Sequence, residues 1–185
     1  MALLDCGLKT AHCAYTQSAL EQAQVVADTP AYADYPLLDQ HYPDSKFIYL
    51  DREFELWHTS FIFLYRQMLG LGFGAQNSRF HPRVEQSYFK VFGPTSNKLF
   101  DPIYLSSCYN QHKTAIEQYF KNRADDLLQL NLSQTDSYYQ MMDFLGLERK
   151  PCDFPHLNSK RVTDWTRIQS RLKVDSNAGS DDTSL

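Results

Sequence analysis

Four residues stand where their types and spacing could do chemistry: Arg52, Ser60, Asp28 and His12. Arg52 falls where the apolar run Phe47-Ile-Tyr-Leu50 should end as a strand, and Glu53 to Leu69 reads as a helix carrying Ser60 two turns in. A guanidinium presents a fixed fork of donors that matches phosphate geometry. The start of a helix adds free backbone N–H groups and the positive end of the dipole. The stretch Lys46–Ser60 is therefore suited to holding a phosphate. The plainer alternative pairs Arg52 with Asp51, Glu53 or Glu55, and Ser60 alone is an ordinary helix serine. Asp28 precedes Pro30 at a helix-breaking turn, where a carboxylate either bonds nearby backbone N–H groups or acts as a base. His12 ends a short strand-like run. It reads either as a hydrogen-bonded core histidine or as a base or acceptor-binding group.

These residues must be positioned by a scaffold, and the composition permits an ordinary one. The chain has 185 residues, enough for one domain with a sizeable core. Hydrophobic residues make up 43%, charged residues 22% and aromatics 14%, so many of the 12 Tyr must sit half-buried with the hydroxyl near water. A net charge of −4 argues against a dedicated nucleic-acid binder. No apolar run is long enough to span a membrane, and the first residues do not read as a secretory signal. Cys6, Cys13, Cys108 and Cys152 are scattered without a CxxC pair. That pattern suits reduced thiols in a cytoplasmic protein, and no metal site is expected from it.

The apolar periodicity and turn residues divide the chain as follows. Ala2–Leu8 reads as a helix end stopped by Gly7, and Thr10–Tyr15 as a short strand. Gln17–Ala27 reads as a helix broken by Asp28-Thr29-Pro30, and Leu37–Tyr42 as a short helix before Pro43. The Lys46–Leu50 strand and the Glu53–Leu69 helix follow. Gly70–Pro82 reads as a mobile loop, Val84–Phe92 and Ile103–Asn122 as helices, and Leu127–Leu132 as a second strand. Ser133–Leu145 contains a helix capped by Gly146, Asp153–Asn158 is extended, and Thr163–Leu172 is helical. The polar tail 175–185 is expected to be disordered. Lys121, Arg123, Asp125 and Asp126 read as a solvated turn. The aromatic helix face of Trp57, Phe61, Leu64 and Tyr65 reads as core. Strands separated by helices predict an α/β protein with a mostly parallel sheet, over a single domain spanning 1–174. Ligands of such sheets bind beyond the carboxyl ends of the strands, which is where Arg52 falls.

Several segments, in order, resemble the P-loop-fold sulfotransferases. Ala2-Leu-Leu-Asp-Cys-Gly-Leu-Lys-Thr-Ala-His12 resembles the helix and second strand that follow that family's phosphosulfate loop. Asp28-Thr-Pro30 with Leu38-Asp-Gln-His-Tyr-Pro-Asp-Ser-Lys-Phe-Ile48 resembles its D-x-P … L-x-x-x-Y-P-x-x-K-F-I run. Arg52 and Ser60, eight positions apart, have the spacing of the Arg and Ser that hold the 3′-phosphate there. Leu127–Ser133 followed by Met142-Asp-Phe-Leu-Gly-Leu147 resembles the late strand and helix, and Phe154-Pro-His-Leu-Asn158 the closing F-P-H-x-N.

The resemblance implies a three-layer P-loop-like α/β fold and a donor, 3′-phosphoadenosine 5′-phosphosulfate. The acceptor would be a hydroxyl or amine of a small molecule or glycan. Arg52 and Ser60 would anchor the donor's 3′-phosphate, while Asp28 and His12 would stand on the acceptor side as catalytic candidates. His156 matches a family segment and is expected to make a structural turn contact. Lys160, Arg161 and Arg167 lack the glycines of the family's late basic loop. One departure is large: the glycine-rich G-x-P-R-x-G-T-T-S loop and the strand before it are absent from this sequence. The expectation is either a longer gene product that starts upstream of Met1, or a shortened, non-catalytic relative kept for nucleotide or protein binding. In the second case a partner or a second copy, as in a homodimer, would cover the exposed sheet edge. A phosphotransferase is a weaker alternative, since no Gly-Lys-Ser/Thr loop supports it.

Overall fold

The computed structural model describes residues 2–94, 97–149, 154 and 165–180. Among these residues four short strands pair in parallel, as the α/β pattern predicts, but as two separate two-stranded sheets. β1 (Thr10–Ala11) pairs with β2 (Val25–Val26). β3 (Phe47–Leu50) pairs with β4 (Leu127–Leu130), with Leu50 opposite Leu130. The helices are α1 (Ala2–Asp5), α2 (Gln17–Gln22), α3 (Ala31–His41), α4 (Phe54–Gly70), α5 (Pro82–Phe92), α6 (Pro102–Tyr119) and α7 (Ser137–Phe144).

The long helices follow the sequence. In α4 the buried residues Phe61, Tyr65 and Met68 recur at helical spacing. α5 starts on the His81 side chain, which accepts from the Arg83 N–H at 3.2 Å, with Pro82 at the first helical position. It stops at Gly93, where φ is 69° and an added Cβ would meet the Tyr104 hydroxyl at 2.9 Å. α6 begins on Asp101, which accepts from the Ile103 N–H at 2.9 Å. These three helices enclose an aromatic core that includes Phe61, Tyr65, Tyr88, Phe92 and Leu105. A second core, under β4 and α7, holds Leu130, Tyr138, Met141 and Met142.

The structure corrects the sequence reading in several places. The expected Gln17–Ala27 helix ends at Gln22, and Val25–Val26 is a strand. The switch is made by Lys9, whose carbonyl accepts from the N–H groups of Gln24 and Val25 at 2.8 and 3.0 Å. A two-residue strand is too short to show alternation. α3 starts at Ala31, six residues before the expected Leu37, and accommodates Pro36 by breaking helical geometry at Asp34. The predicted mobile loop 70–82 is pinned by Phe73, which is 4% exposed, and by Glu85, which accepts from the Gly74 N–H at 3.1 Å.

The expected helix 163–172 is, among the described residues, one 3-10 turn at Trp165–Arg167. The chain beyond it runs alongside β1, where Thr10 N–H donates to the Leu172 carbonyl at 2.8 Å and Val174 N–H to the Thr10 carbonyl at 2.9 Å. The tail expected to be disordered is packed over 175–180, where Tyr15 N–H bonds the Ser176 carbonyl and Thr16 Oγ1 the Ala178 carbonyl. Arg123, read as part of a solvated turn, makes a two-pronged pair with Asp39 of α3 at 2.7 and 3.1 Å. Cys152, His156, Lys160, Arg161, most of the Asp153–Asn158 segment and the tail beyond 180 lie outside the described residues.

Candidate functional site

Arg52 emerges just past the carboxyl end of β3. The Asp51 N–H extends the ladder by one bond to the Leu130 carbonyl at 2.9 Å, and the Tyr109 hydroxyl donates to the Arg52 carbonyl at 2.6 Å. The backbone that launches the guanidinium is thus held from β4 and from α6. Its head donates from Nη1 to Ser60 Oγ at 3.1 Å. Ser60 in turn donates to the Leu56 carbonyl at 3.2 Å, the bond a helix serine makes to its own preceding turn.

The plainer pairing of Arg52 with Asp51 is not made, because Asp51 takes Lys113 at 2.8 Å. Among the described residues Arg52 makes no ion pair. The first turn of α4 has no side-chain cap, which leaves its N–H groups available. Glu53 and Glu55 stand at that same end and oppose an anion there. The Arg52 fork, rather than the helix end, is the stronger anion donor, and the Ser60 hydroxyl joins it only by turning its proton away from the Leu56 carbonyl.

Ser60 also borders a cleft of about 260 Å³ lined by Asp28, Tyr32, Trp57, Phe61, Leu64, Tyr88 and Phe92. This cleft joins the two sets of residues that the sequence could only nominate separately. Asp28 reaches it from the turn after β2, with backbone φ of 63°, a left-handed conformation that Asp tolerates better than most residues. Half of its side chain meets solvent (51%), and His12 Nε2 lies 3.8 Å from its Oδ2. Burial raises the Asp28 carboxyl above its ordinary range and His12 pulls it back. The solvated flank moderates that rise. His12 itself lies outside the cleft wall, leaning on Trp165 at 5.5 Å between ring centres and touching Cys13 Sγ with Nδ1 at 3.5 Å.

The sequence reading missed Tyr32, Tyr88, Phe92 and Cys13. Tyr88 and Phe92 are four apart on α5, a spacing that reads as core, and each is indeed largely buried. The Tyr32 hydroxyl, enclosed beside Thr29 and Ser87, lacks a well-formed hydrogen bond, and burial pushes its pKa upward. Burial, followed by the charge of Asp28, raises the Cys13 thiol. The α4 face read as core divides in two. Tyr65 is wholly inside at 1% exposure, whereas Trp57 and Leu64 are cleft wall, Leu64 at 43% exposure. A larger depression of about 520 Å³ lies along α6 between Ser107 and Gln118, but no titratable side chain lines it. The smaller cleft, with one carboxylate, one hydroxyl linked to a guanidinium, and aromatic walls, has the chemistry of a site.

Among the described residues no helix is long and apolar enough to cross a membrane. Residues 5–163 match the model of a family described as a sulfotransferase domain. No curated protein and no solved structure matches the chain.

Proposed function

The chain belongs to the sulfotransferase domain family, and on that premise we propose that it moves a sulfuryl group from 3′-phosphoadenosine 5′-phosphosulfate to a hydroxyl or amine of a small molecule or glycan. The observation that carries this reading is the Arg52–Ser60 hydrogen bond at the carboxyl end of β3, with Ser60 and Asp28 on one cleft. Arg52 and Ser60 offer the donor's 3′-phosphate a guanidinium fork and a hydroxyl that already share one geometry. The sequence carries no glycine-rich loop for the 5′-phosphosulfate, so these residues argue for the 3′-phosphate half of the donor.

Asp28 takes the acceptor proton while the acceptor oxygen or nitrogen attacks sulfur in line with the departing nucleotide phosphate. A carboxyl held above its ordinary range is the better base near neutral pH, and His12 at 3.8 Å steadies the carboxylate. The rings of Tyr32, Trp57, Phe61 and Tyr88 favour an acceptor with an apolar body. The three free cysteines among the described residues, Cys6, Cys13 and Cys108, suit a reducing, cytoplasmic setting.

Calorimetry with adenosine 3′,5′-bisphosphate tests the donor half. The wild-type chain binds it, and Arg52→Ala weakens binding by about tenfold to a hundredfold, the worth of charged hydrogen bonds. Equal binding by Arg52→Ala removes that residue from the phosphate, and no heat from the wild type at millimolar ligand removes the donor site altogether.

A second reading is a non-catalytic, nucleotide-binding or protein-interaction relative. Leu56 and Phe63 on the outer side of α4 are 53% and 59% exposed, and the two-stranded β3–β4 pair leaves open edges that a partner or second copy would cover. Light scattering at rising concentration separates the two: a stable dimer with no transfer activity favours this reading.

A further inference from the structure

β1 and β2 run in parallel, so the residues that follow them leave the pair at the same end. His12 and Cys13 follow β1, and Asp28 follows β2 after one intervening residue, Ala27. The two exits are tied together on either side of this group. Ala27 N–H donates to the Ala11 carbonyl and Ala14 N–H to the Thr29 carbonyl, both at 3.0 Å. Thr29 is 2% exposed, so the turn that presents Asp28 is anchored from below. Between these ties an imidazole nitrogen, the Cys13 sulfur and a carboxylate oxygen all lie within 4.8 Å of one another. Cys13 Sγ is 3.5 Å from His12 Nδ1, and Asp28 Oδ2 is 3.8 Å from His12 Nε2.

Tetrahedral zinc, with bonds of about 2.0–2.3 Å to N, O and S, sets its ligand atoms roughly 3.3–3.7 Å apart. The two His12 contacts use opposite ring nitrogens, so with a single nitrogen the set spans up to 4.8 Å and must contract around the ion, by turning the His12 ring, to reach coordinating distance. The side chains of His12 and Asp28, 47% and 51% exposed, have the freedom to close the remaining gap. Neither is engaged elsewhere by an ion pair among the described residues.

We propose that His12, Cys13 and Asp28 form an open three-ligand site for Zn²⁺, with the fourth position facing solvent. One thiolate with one imidazole selects a borderline-soft ion over Mg²⁺ or Ca²⁺, which prefer oxygen ligands alone. Coordination forms bonds from sulfur, nitrogen and oxygen to the ion, and the thiol proton leaves to solvent. The sequence gives no sign of this site because Cys13 has no CxxC partner and the carboxylate comes from another segment. The ion takes both acceptor-side groups. On the proposed function, which this consequence alone rests on, Zn²⁺ binding silences sulfuryl transfer.

The test is metal titration of the full chain without donor or acceptor. Co²⁺, used as the spectroscopic stand-in, gives a thiolate-to-metal charge-transfer band that saturates at one equivalent, and Zn²⁺ bleaches it. Cys13→Ser and Cys13→Ala lose the band while circular dichroism shows the fold retained, and Cys6→Ser keeps it. His12→Ala and Asp28→Asn weaken Co²⁺ binding by at least about tenfold. A band that survives in both Cys13 variants, or no band from the wild type at millimolar Co²⁺, overturns the site. Because adenosine 3′,5′-bisphosphate binding is read separately at Arg52, a failed metal site and a failed donor site give different results.

Discussion

The two ends of the cleft are built by opposite means. At one end Arg52 and Ser60 come from a single strand-to-helix junction, and eight positions of chain are enough to bring Nη1 within 3.1 Å of Oγ. At the other end Asp28, with His12 and Cys13 beside it outside the cleft wall, is placed by two segments that meet only because β1 and β2 pair. A local end tolerates disturbance elsewhere in the molecule, whereas an end assembled by pairing depends on everything that holds the pair. The first suits an anchor for a fixed phosphate. The second suits groups whose protonation and ligands change.

The comparison is broken most severely at Asp28. Asp28→Asn keeps the shape of the turn but removes the proposed base, so transfer measured with donor and acceptor falls by about 10²–10⁴-fold. Binding of adenosine 3′,5′-bisphosphate stays the same. A variant that keeps its rate shows that the acceptor end has another base.

Leu130→Ala attacks the scaffold of the local end. Leu130 is 0% exposed, pairs with Leu50 and packs on α7. Its truncation costs about 3 kcal/mol of stability, within the usual range for a buried leucine, and urea unfolding reads it as a lower midpoint. If nucleotide affinity of the folded fraction is unchanged, the junction is as local as its spacing implies.

Ser60→Ala sharpens the proposed anchor. It removes a neutral hydroxyl and leaves the guanidinium, so nucleotide affinity drops only about two- to tenfold, less than for Arg52→Ala. A larger loss for Ser60→Ala than for Arg52→Ala reverses their roles.

The smallest effect lies in the bond that couples the two ends. Asp39, on the helix leading away from the Asp28 turn, pairs with Arg123 just ahead of β4, and the Tyr119 hydroxyl donates to it at 2.7 Å. These partners, Arg123 foremost, hold the Asp39 carboxyl below its ordinary range. Folding therefore gains from Asp39 at pH above the ordinary carboxylate value of about 4. That gain fades as pH falls through the lower folded value. Asp39→Asn lowers the urea midpoint at neutral pH, and the difference from wild type shrinks toward pH 3. A constant difference over that range shows that the ionised pair is not what couples the ends.

Those outcomes follow a division already visible in the chain. The β3 strand, the α4, α5 and α6 helices and the α/β character were legible in the sequence, because each long helix repeats its buried residues at helical spacing. Helix stops were legible too where glycine marks them, as at Gly93. The β1–β2 pair was not. Val25 and Val26 follow a run of good helix formers, and what turns them into a strand is the Lys9 carbonyl, fifteen positions earlier at Gln24. The order of 175–180 was hidden for the same reason, since a polar tail packs only where Tyr15 and Thr16 supply partners. Trp57 and Leu64 carry the same apolar signal as Tyr65, and periodicity cannot separate a core face from a cleft wall.

The sequence by itself determined the Arg52–Ser60 pair, because a strand end, a helix start and a fixed spacing are local properties of the backbone. It also nominated Asp28 and His12 by residue type, without linking them to that pair. Only the tertiary structure put Asp28 and Ser60 on one cleft, released Arg52 by giving Asp51 to Lys113, and set Cys13 beside His12 and Asp28. The physical reason is that such contacts arise from strand pairing and helix packing between distant segments, and no periodicity within one segment encodes its distance to another.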